Sequence, residues 1–338
     1  KKEVAMSHYL ISRTDHLGDI LLTLPVAGIL KAHQPDCRIG FLIPRYAFEL
    51  VQCCRFVDTI HILEELDGLA PGERNQLLKS YSACIHVSPN RKIARWAWLA
   101  GIGTRIGTSR RWFHFLYCNS RVPLQRKNSK SHEAVLNLQL LKPLLAVPQI
   151  HPKDLIPFFG LDRIASLPAS VNELLDPHKF KLIIHTRSMG NTRHWSQKQF
   201  QELMAKLPQH RFQIILTGTK KEREFLLPWL SQLQTRVTDL TGSLSLAELI
   251  SLIQASDGML SNSTGPMHIA AACGKHVIGL FANYTPIHPD RWAPIGGKAE
   301  VILAEKACDG CPSDESCACM AGIQPDLVLH RILNWLDR

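Results

Sequence analysis

Short apolar runs alternate with stretches of helical periodicity along the whole chain, and this alternation restricts the fold more than any other feature. Tyr9–Ser12, Ile39–Ile43, Thr59–Leu63 and Ala83–Val87 read as strands, with Thr104–Gly107 a weaker one. Leu182–Thr186, Gln213–Thr217, Gly258–Leu260, His276–Phe281 and Glu300–Leu303 repeat the style. Helical periodicity is predicted over Ile20–Ala32, Trp195–Leu207, Leu246–Ala255 and Met267–Cys273. Strands alternating with helices imply βαβ units and mainly parallel sheets. Two such series predict an α/β protein of two doubly wound domains, and 338 residues are enough for both. A Pro-richer stretch from His151 to Lys179 marks the boundary, giving domains of residues 1–165 and 166–338. No run of 18 apolar residues lacks a charge, so no transmembrane helix is expected. Lys1 to Leu10 shows no apolar segment of the signal-peptide kind. The ten cysteines therefore read as reduced thiols of a cytoplasmic protein.

The net charge of +10 belongs almost wholly to the first half. Residues 1–165 carry 22 basic and 13 acidic side chains, against 17 and 16 in the remainder. No acid occurs between Glu73 and Glu133, where Arg74, Lys79, Arg91, Lys92, Arg95, Arg105, Arg110, Arg111, Arg121, Arg126, Lys127 and Lys130 fall. Such a stretch is either a solvated basic surface or a field that attracts phosphates, carboxylates, anionic lipid or nucleic acid. Trp96, Trp98, Trp112, Phe113, Phe115 and Tyr117 are interleaved with it, and core packing is the preferred reading for them.

Ligands of open α/β sheets bind beyond the carboxyl ends of the strands. Three loops lie there. Arg13 to Asp19 follows the first strand. Gly18 allows close backbone approach, and Asp19 is either an N-terminal helix charge or a general base. Ser261-Asn262-Ser263-Thr264-Gly265-Pro266 suits a helix start with Pro in the first turn, whose free N–H groups can hold an anion. His185 to Ser188, continuing through Asn191-Thr192-Arg193-His194-Trp195, offers Arg193 as a phosphate donor, with Trp195 read as a core anchor. No GxxxxGK[ST] or GxGxxG motif stands between a strand and a helix.

Taken together these loops resemble those of the family 9 glycosyltransferases, the lipopolysaccharide heptosyltransferases. Leu17-Gly18-Asp19 followed by Leu22-Thr23-Leu24-Pro25 is similar to the family's G-D-x-x-x-T-x-P opening. Arg193-His194-Trp195 is similar to its [K/R]-x-W step, and Ser261 through Ala272 to S-x-D-T-G-x-x-H-x-A-A-A. Pro89-Asn90 and Leu99-Ala100-Gly101-Ile102 also match its first domain. The resemblance implies a GT-B fold, two Rossmann-like domains facing a central cleft. The first would bind the acceptor and the second the nucleotide sugar. It implies inverting transfer of heptose from ADP-heptose to the lipopolysaccharide inner core, with no metal required, by a cytoplasmic protein peripheral to the inner face of the inner membrane. Asp19 would be the general base. Arg193, Glu222, Ser263, Thr264, Gly265 and His268 would bind the donor. Arg91, Lys92, Arg95, Arg110 and Arg111 would meet the anionic acceptor, and no nucleic acid is expected. Ser263 departs from the family's usual Asp, which opens a second reading with another nucleotide sugar as donor. A third is a non-catalytic binder of anionic polymer.

Cys308, Cys311, Cys317 and Cys319 form C-x2-C-x5-C-x-C. Thiolates this close can hold zinc or an iron–sulfur cluster, but a single residue between the second pair is not a standard zinc spacing. A structural or oxidised loop is therefore expected there, and no metal is assigned.

Overall fold

The computed structural model describes residues 7–126, 129–188, 192–285, 287–308, 311 and 317–337. Lys127 of the basic stretch and Asn191 of the third loop lie outside them. The chain divides into two compact units, Lys1–Arg163 and Ile164–Arg338.

The first unit holds β1 (His8–Ser12), β2 (Arg38–Ile43), β3 (Thr59–Ile62), β4 (Ala83–His86), β5 (Thr104–Thr108) and β6 (Ser120–Val122). All pair in parallel, in the order β3-β2-β1-β4-β5-β6. The second unit holds β7 (Phe180–His185), β8 (Phe212–Thr217), β9 (Thr238–Asp239), β10 (Gly258–Asn262), β11 (His276–Asn283) and β12 (Ala299–Ala307). Its order is β12-β11-β10-β7-β8-β9, again parallel. Read from the opposite edge, this is the same winding: each sheet starts at its centre, runs to one edge, returns and runs to the other. That is the Rossmann order, and it places the reversal between β1 and β4 in one unit and between β7 and β10 in the other. The central strands are apolar on both faces, as Leu10, Ile11, Ile183, Ile184, Met259 and Leu260 show, because helices cover both sides.

Among the described residues, ten of the twelve strands are visible as apolar runs. The two that are not, β6 and β9, are edge strands of three and two residues, Ser-Arg-Val and Thr-Asp. The helix predicted over Ile20–Ala32 is two helices, Leu17–Leu21 and Leu24–His33. Pro25 in the first turn of the second has no N–H to continue the ladder, and Thr23 turns its hydroxyl to the Asp19 carbonyl, 2.8 Å away. The helix predicted from Trp195 begins at Gln197, where Ser196 and Gln199 form a reciprocal cap. Trp195 precedes it as a buried anchor, edge-on to Phe200.

Core packing fails as a reading for several of the interleaved aromatics. Trp96 is buried, but Trp98, Trp112 and Phe115 are 48%, 61% and 58% exposed. Helix Trp112–Tyr117 is six residues long and buries mainly His114, whose ring nitrogen meets the Thr108 carbonyl at 2.9 Å. No helix among the described residues is long and apolar enough to cross a membrane.

Helix Leu24–His33 packs on Pro152–Phe158 through Gly28, where an added Cβ would lie 2.6 Å from the Phe158 carbonyl oxygen. Backbone cannot rotate away as a side-chain tip can. Gly28→Ala is expected to destabilise the protein by about 1–3 kcal/mol, read as a lower urea midpoint with an unchanged slope.

Candidate active site

In the first unit the loop after β1 is organised by a buried arginine. Arg13 is 3% exposed, and its Nε donates to Asp15 Oδ1 at 2.6 Å. Its Nη1 donates to Glu133 Oε1 at 3.1 Å and Asn137 Oδ1 at 3.3 Å, and its Nη2 to Asp19. Glu133 and Asn137 are one turn apart on helix Glu133–Leu138, so both reach the same point. Arg126 also pairs with Glu133, and donates to Asn137 Oδ1 at 2.9 Å. Asn137 Nδ2 returns to the Leu22 carbonyl at 3.1 Å and Thr23 Oγ1 at 3.2 Å, which ties the network to the break between the two helices. Two guanidinium groups thus meet three carboxylates. Burial raises the Asp19 carboxyl above its ordinary value, with Arg13 pulling the other way. A carboxylate so placed can accept a proton nearer neutrality than a solvated one. Sequence reading missed Glu133, Asn137 and the role of Arg13. The one available signal was that Glu133 is the acid that ends the basic stretch.

In the second unit β7 and β10 run side by side, and their loops are stitched by Asn262. Its Nδ2 donates to the Thr186 carbonyl at 2.7 Å, and its Oδ1 accepts from the Trp195 N–H at 2.9 Å. Thr192 adds a hydroxyl bond to the Ser263 carbonyl at 3.0 Å. Arg193 and Ser263 consequently line one recess, with Thr192 and Tyr284. Arg193 is 9% exposed and its guanidinium lies 4.6 Å from the centre of the Tyr284 ring. Among the described residues no carboxylate pairs with it. Thr264 precedes helix Gly265–Ala272 in extended conformation, and its hydroxyl meets Ser261 Oγ at 2.8 Å instead of capping the helix. The first-turn N–H groups of the helix therefore have no cap from Thr264. His268 is buried one turn further on.

Glu222 sits apart from that recess. Its Oε2 accepts from the Thr219 N–H at 2.7 Å in a reciprocal cap, and lies 3.9 Å from His185 Nε2. Burial holds the His185 ring below its usual basicity, with Glu222 opposing.

The basic stretch separates into two groups. Arg74 is buried against Trp96 and the carbonyls of Leu66 and Leu69, Arg105 binds the Tyr117 carbonyl at 2.7 Å, and Arg126 serves Glu133. Arg91, Lys92, Arg95, Arg110 and Arg111 are exposed. Arg91 lies over Trp112, Arg110 donates to Gln125, and Lys92 is already paired with Asp67.

Cys308, Cys311, Cys317 and Cys319 converge despite their irregular spacing: all four sulfurs lie within 4.8 Å of one another. Burial raises the Cys308 thiol, and hydrogen bonds from Arg193, Cys317 and Cys311 bring it down to about 7.

The family model for glycosyltransferase family 9 (heptosyltransferase) matches residues 74–319, a span that begins after Asp19. A Haemophilus influenzae protein named "Putative glycosyltransferase" is 26% identical over 304 residues, 86% of either chain. Lipopolysaccharide heptosyltransferase 2 of Salmonella typhimurium is 31% identical over 117 residues, 33% of either chain. The structure of ADP-heptose lps heptosyltransferase II of E. coli superposes with a TM-score of 0.76 over 98% of both chains at 21% identity.

Removing Glu133 takes from the buried Arg13 and the half-buried Arg126 the carboxylate that they share. Glu133→Ala is expected to destabilise the first unit by about 3–5 kcal/mol, measured by urea unfolding.

Proposed function

The chain belongs to glycosyltransferase family 9, and from that premise we propose that it transfers heptose from ADP-heptose to the inner core of lipopolysaccharide, with inversion at the sugar's reacting carbon. The observation that carries the reading is Arg193: a nearly covered cation beside a helix start, with no carboxylate paired to it among the described residues. Such a group calls for an anion, and a nucleoside diphosphate supplies one.

In this mechanism Asp19 accepts the proton of an acceptor hydroxyl, whose oxygen attacks the anomeric carbon from the face opposite the leaving group. The bond from that carbon to the ADP oxygen breaks, and negative charge gathers on the terminal phosphate. Arg193 and the first-turn N–H groups after Thr264 stabilise it, which is electrostatic catalysis without a metal. Gly265 lets the phosphate approach, His268 and Ser263 flank it, and Glu222 takes the ribose. The Arg13 network holds Asp19 in place and keeps its carboxyl from rising further.

The acceptor is anionic, and Arg91, Lys92, Arg95, Arg110 and Arg111 are assigned to its carboxylates and phosphates. The exposed Trp98, Leu99, Trp112, Phe115 and Leu116 stand among these cations. Aromatic and basic groups presented together suit the interface of an anionic membrane rather than nucleic acid, so the protein is assigned to the inner face of the inner membrane. Ser263 keeps a second reading open, in which the fold takes another nucleotide sugar.

Asp19→Asn is expected to lower transfer by about 10²–10⁴-fold while ADP binds as before by calorimetry; near-normal turnover removes Asp19 as the base. Because the Asp19 carboxyl is raised, kcat/KM should fall with decreasing pH at a higher pH than for an ordinary carboxylate. Arg13→Gln should move that limb higher still. Arg193→Ala is expected to weaken ADP binding by about 10- to 100-fold, the worth of a charge-assisted hydrogen bond. A panel of ADP-, UDP- and GDP-sugars decides the donor, and preference for a non-adenine donor overturns the heptose assignment.

A further inference from the structure

The convergence of four thiols at the end of β12 is not used by the transfer chemistry. Cys308 follows the last residue of β12, with its N–H on the Asn283 carbonyl at 2.9 Å. Cys317 stands at the start of helix Ala318–Ala321 and Cys319 lies inside it, 3.3 Å from the Ala307 carbonyl. This explains how a single intervening residue is accommodated: the short helix turns both side chains back toward the strand end. The segment is docked independently of the thiols, since Trp195 Nε1 and Gln199 Nε2 both donate to the Ile323 carbonyl at 2.9 Å. The approach of the sulfurs is thus supported by contacts besides those among the thiols themselves.

We infer that Cys308, Cys311, Cys317 and Cys319 form a tetrathiolate site for a single thiophilic metal ion, zinc or iron. A metal–sulfur bond of about 2.3 Å in tetrahedral geometry sets the sulfurs about 3.8 Å apart. Cys308 and Cys317 are 3.6 Å apart, and every pair lies within 4.8 Å. A disulfide requires about 2.05 Å, which none of the four cysteines makes. A cluster of several irons divides the four thiolates among its irons and so spreads them further than one ion does. Three of the four are buried and Cys311 is half-buried, so the site is closed and leaves no position for substrate. Its role is structural. It pins the end of β12 to helix Ala318–Ala321, beneath the Arg193 side chain that hydrogen-bonds Cys308.

The inference is independent of which sugar is transferred, and its test does not read activity. The full chain, purified under reducing conditions without a metal-affinity step, is analysed for metal. Close to one zinc or iron per chain is expected; elemental analysis tells iron from zinc, and oxidation of an iron-loaded chain should bring up ferric–thiolate charge-transfer absorption. The metal-stripped chain is then titrated with Co²⁺, which should saturate at one ion per chain with the intense d–d bands of a tetrahedral thiolate site. Cys317→Ser should weaken those bands and the binding, and Cys273→Ser, outside the cluster, should change neither. Failure of Co²⁺ to give thiolate bands, binding unaffected by Cys317→Ser, or the four cysteines found as disulfides in the reduced preparation each overturns the site.

Discussion

A guanidinium that is 3% exposed cannot remain charged in a protein interior unless its surroundings answer it, and Arg13 dictates the architecture of the first unit's loops for that reason. Three carboxylates from two separate segments come to it and to Arg126. Helix Glu133–Leu138 is thereby joined to the loop after β1, about 120 residues away in the chain. Such an assembly is valuable less for net stability than for fixing a position, because the desolvation of its members offsets much of their attraction. What it fixes is Asp19, in the first turn of helix Leu17–Leu21, whose end is tied in through the Thr23 hydroxyl and the Asn137 amide.

The second unit repeats the winding but answers its own buried arginine differently. Arg193 meets an aromatic face and a thiol instead of carboxylates. A ring face attracts a cation without neutralising it. The two arginines therefore differ in their partners: Arg13 is held by carboxylates and serves to place another group, whereas Arg193 rests on a ring face and the Cys308 sulfur, with no carboxylate paired to it among the described residues.

Legibility in the sequence followed the range of the interaction that decides each feature. Strands at the sheet centres are buried on both faces and read as apolar runs; β6 and β9, which carry only edge pairing, have no such pattern. The loops after β1, β7 and β10 were legible because strand ends in wound sheets are where ligand groups belong, and because Gly18, Thr264, Gly265 and Pro266 are local backbone signals. Asn137 and Asn262 were not, since an asparagine that stitches two loops has no partner within reach along the chain. The aromatics near Trp112 were misjudged for a related reason. Residue type favours burial, but a six-residue helix has only one side to bury. The four cysteines were visible as a cluster, but the convergence of their sulfurs was not legible, because spacing rules assume a regular turn and this segment uses a strand end and a helix start.

The departure at Ser263 gains a physical meaning from the recess it shares with Arg193. A carboxylate at this position would line the same recess as the guanidinium and add negative charge where a phosphate is to be held. Serine is neutral and keeps one hydroxyl, able to donate to a phosphate oxygen as a carboxylate cannot. On the proposed mechanism the substitution shifts the balance of the site: less is spent on orienting the sugar's hydroxyl groups through an acceptor, and more of the Arg193 charge is directed at the leaving diphosphate. The part of the donor that most loses by this exchange is the sugar, so on the proposed mechanism Ser263 acts on which sugar is taken and not on which nucleotide.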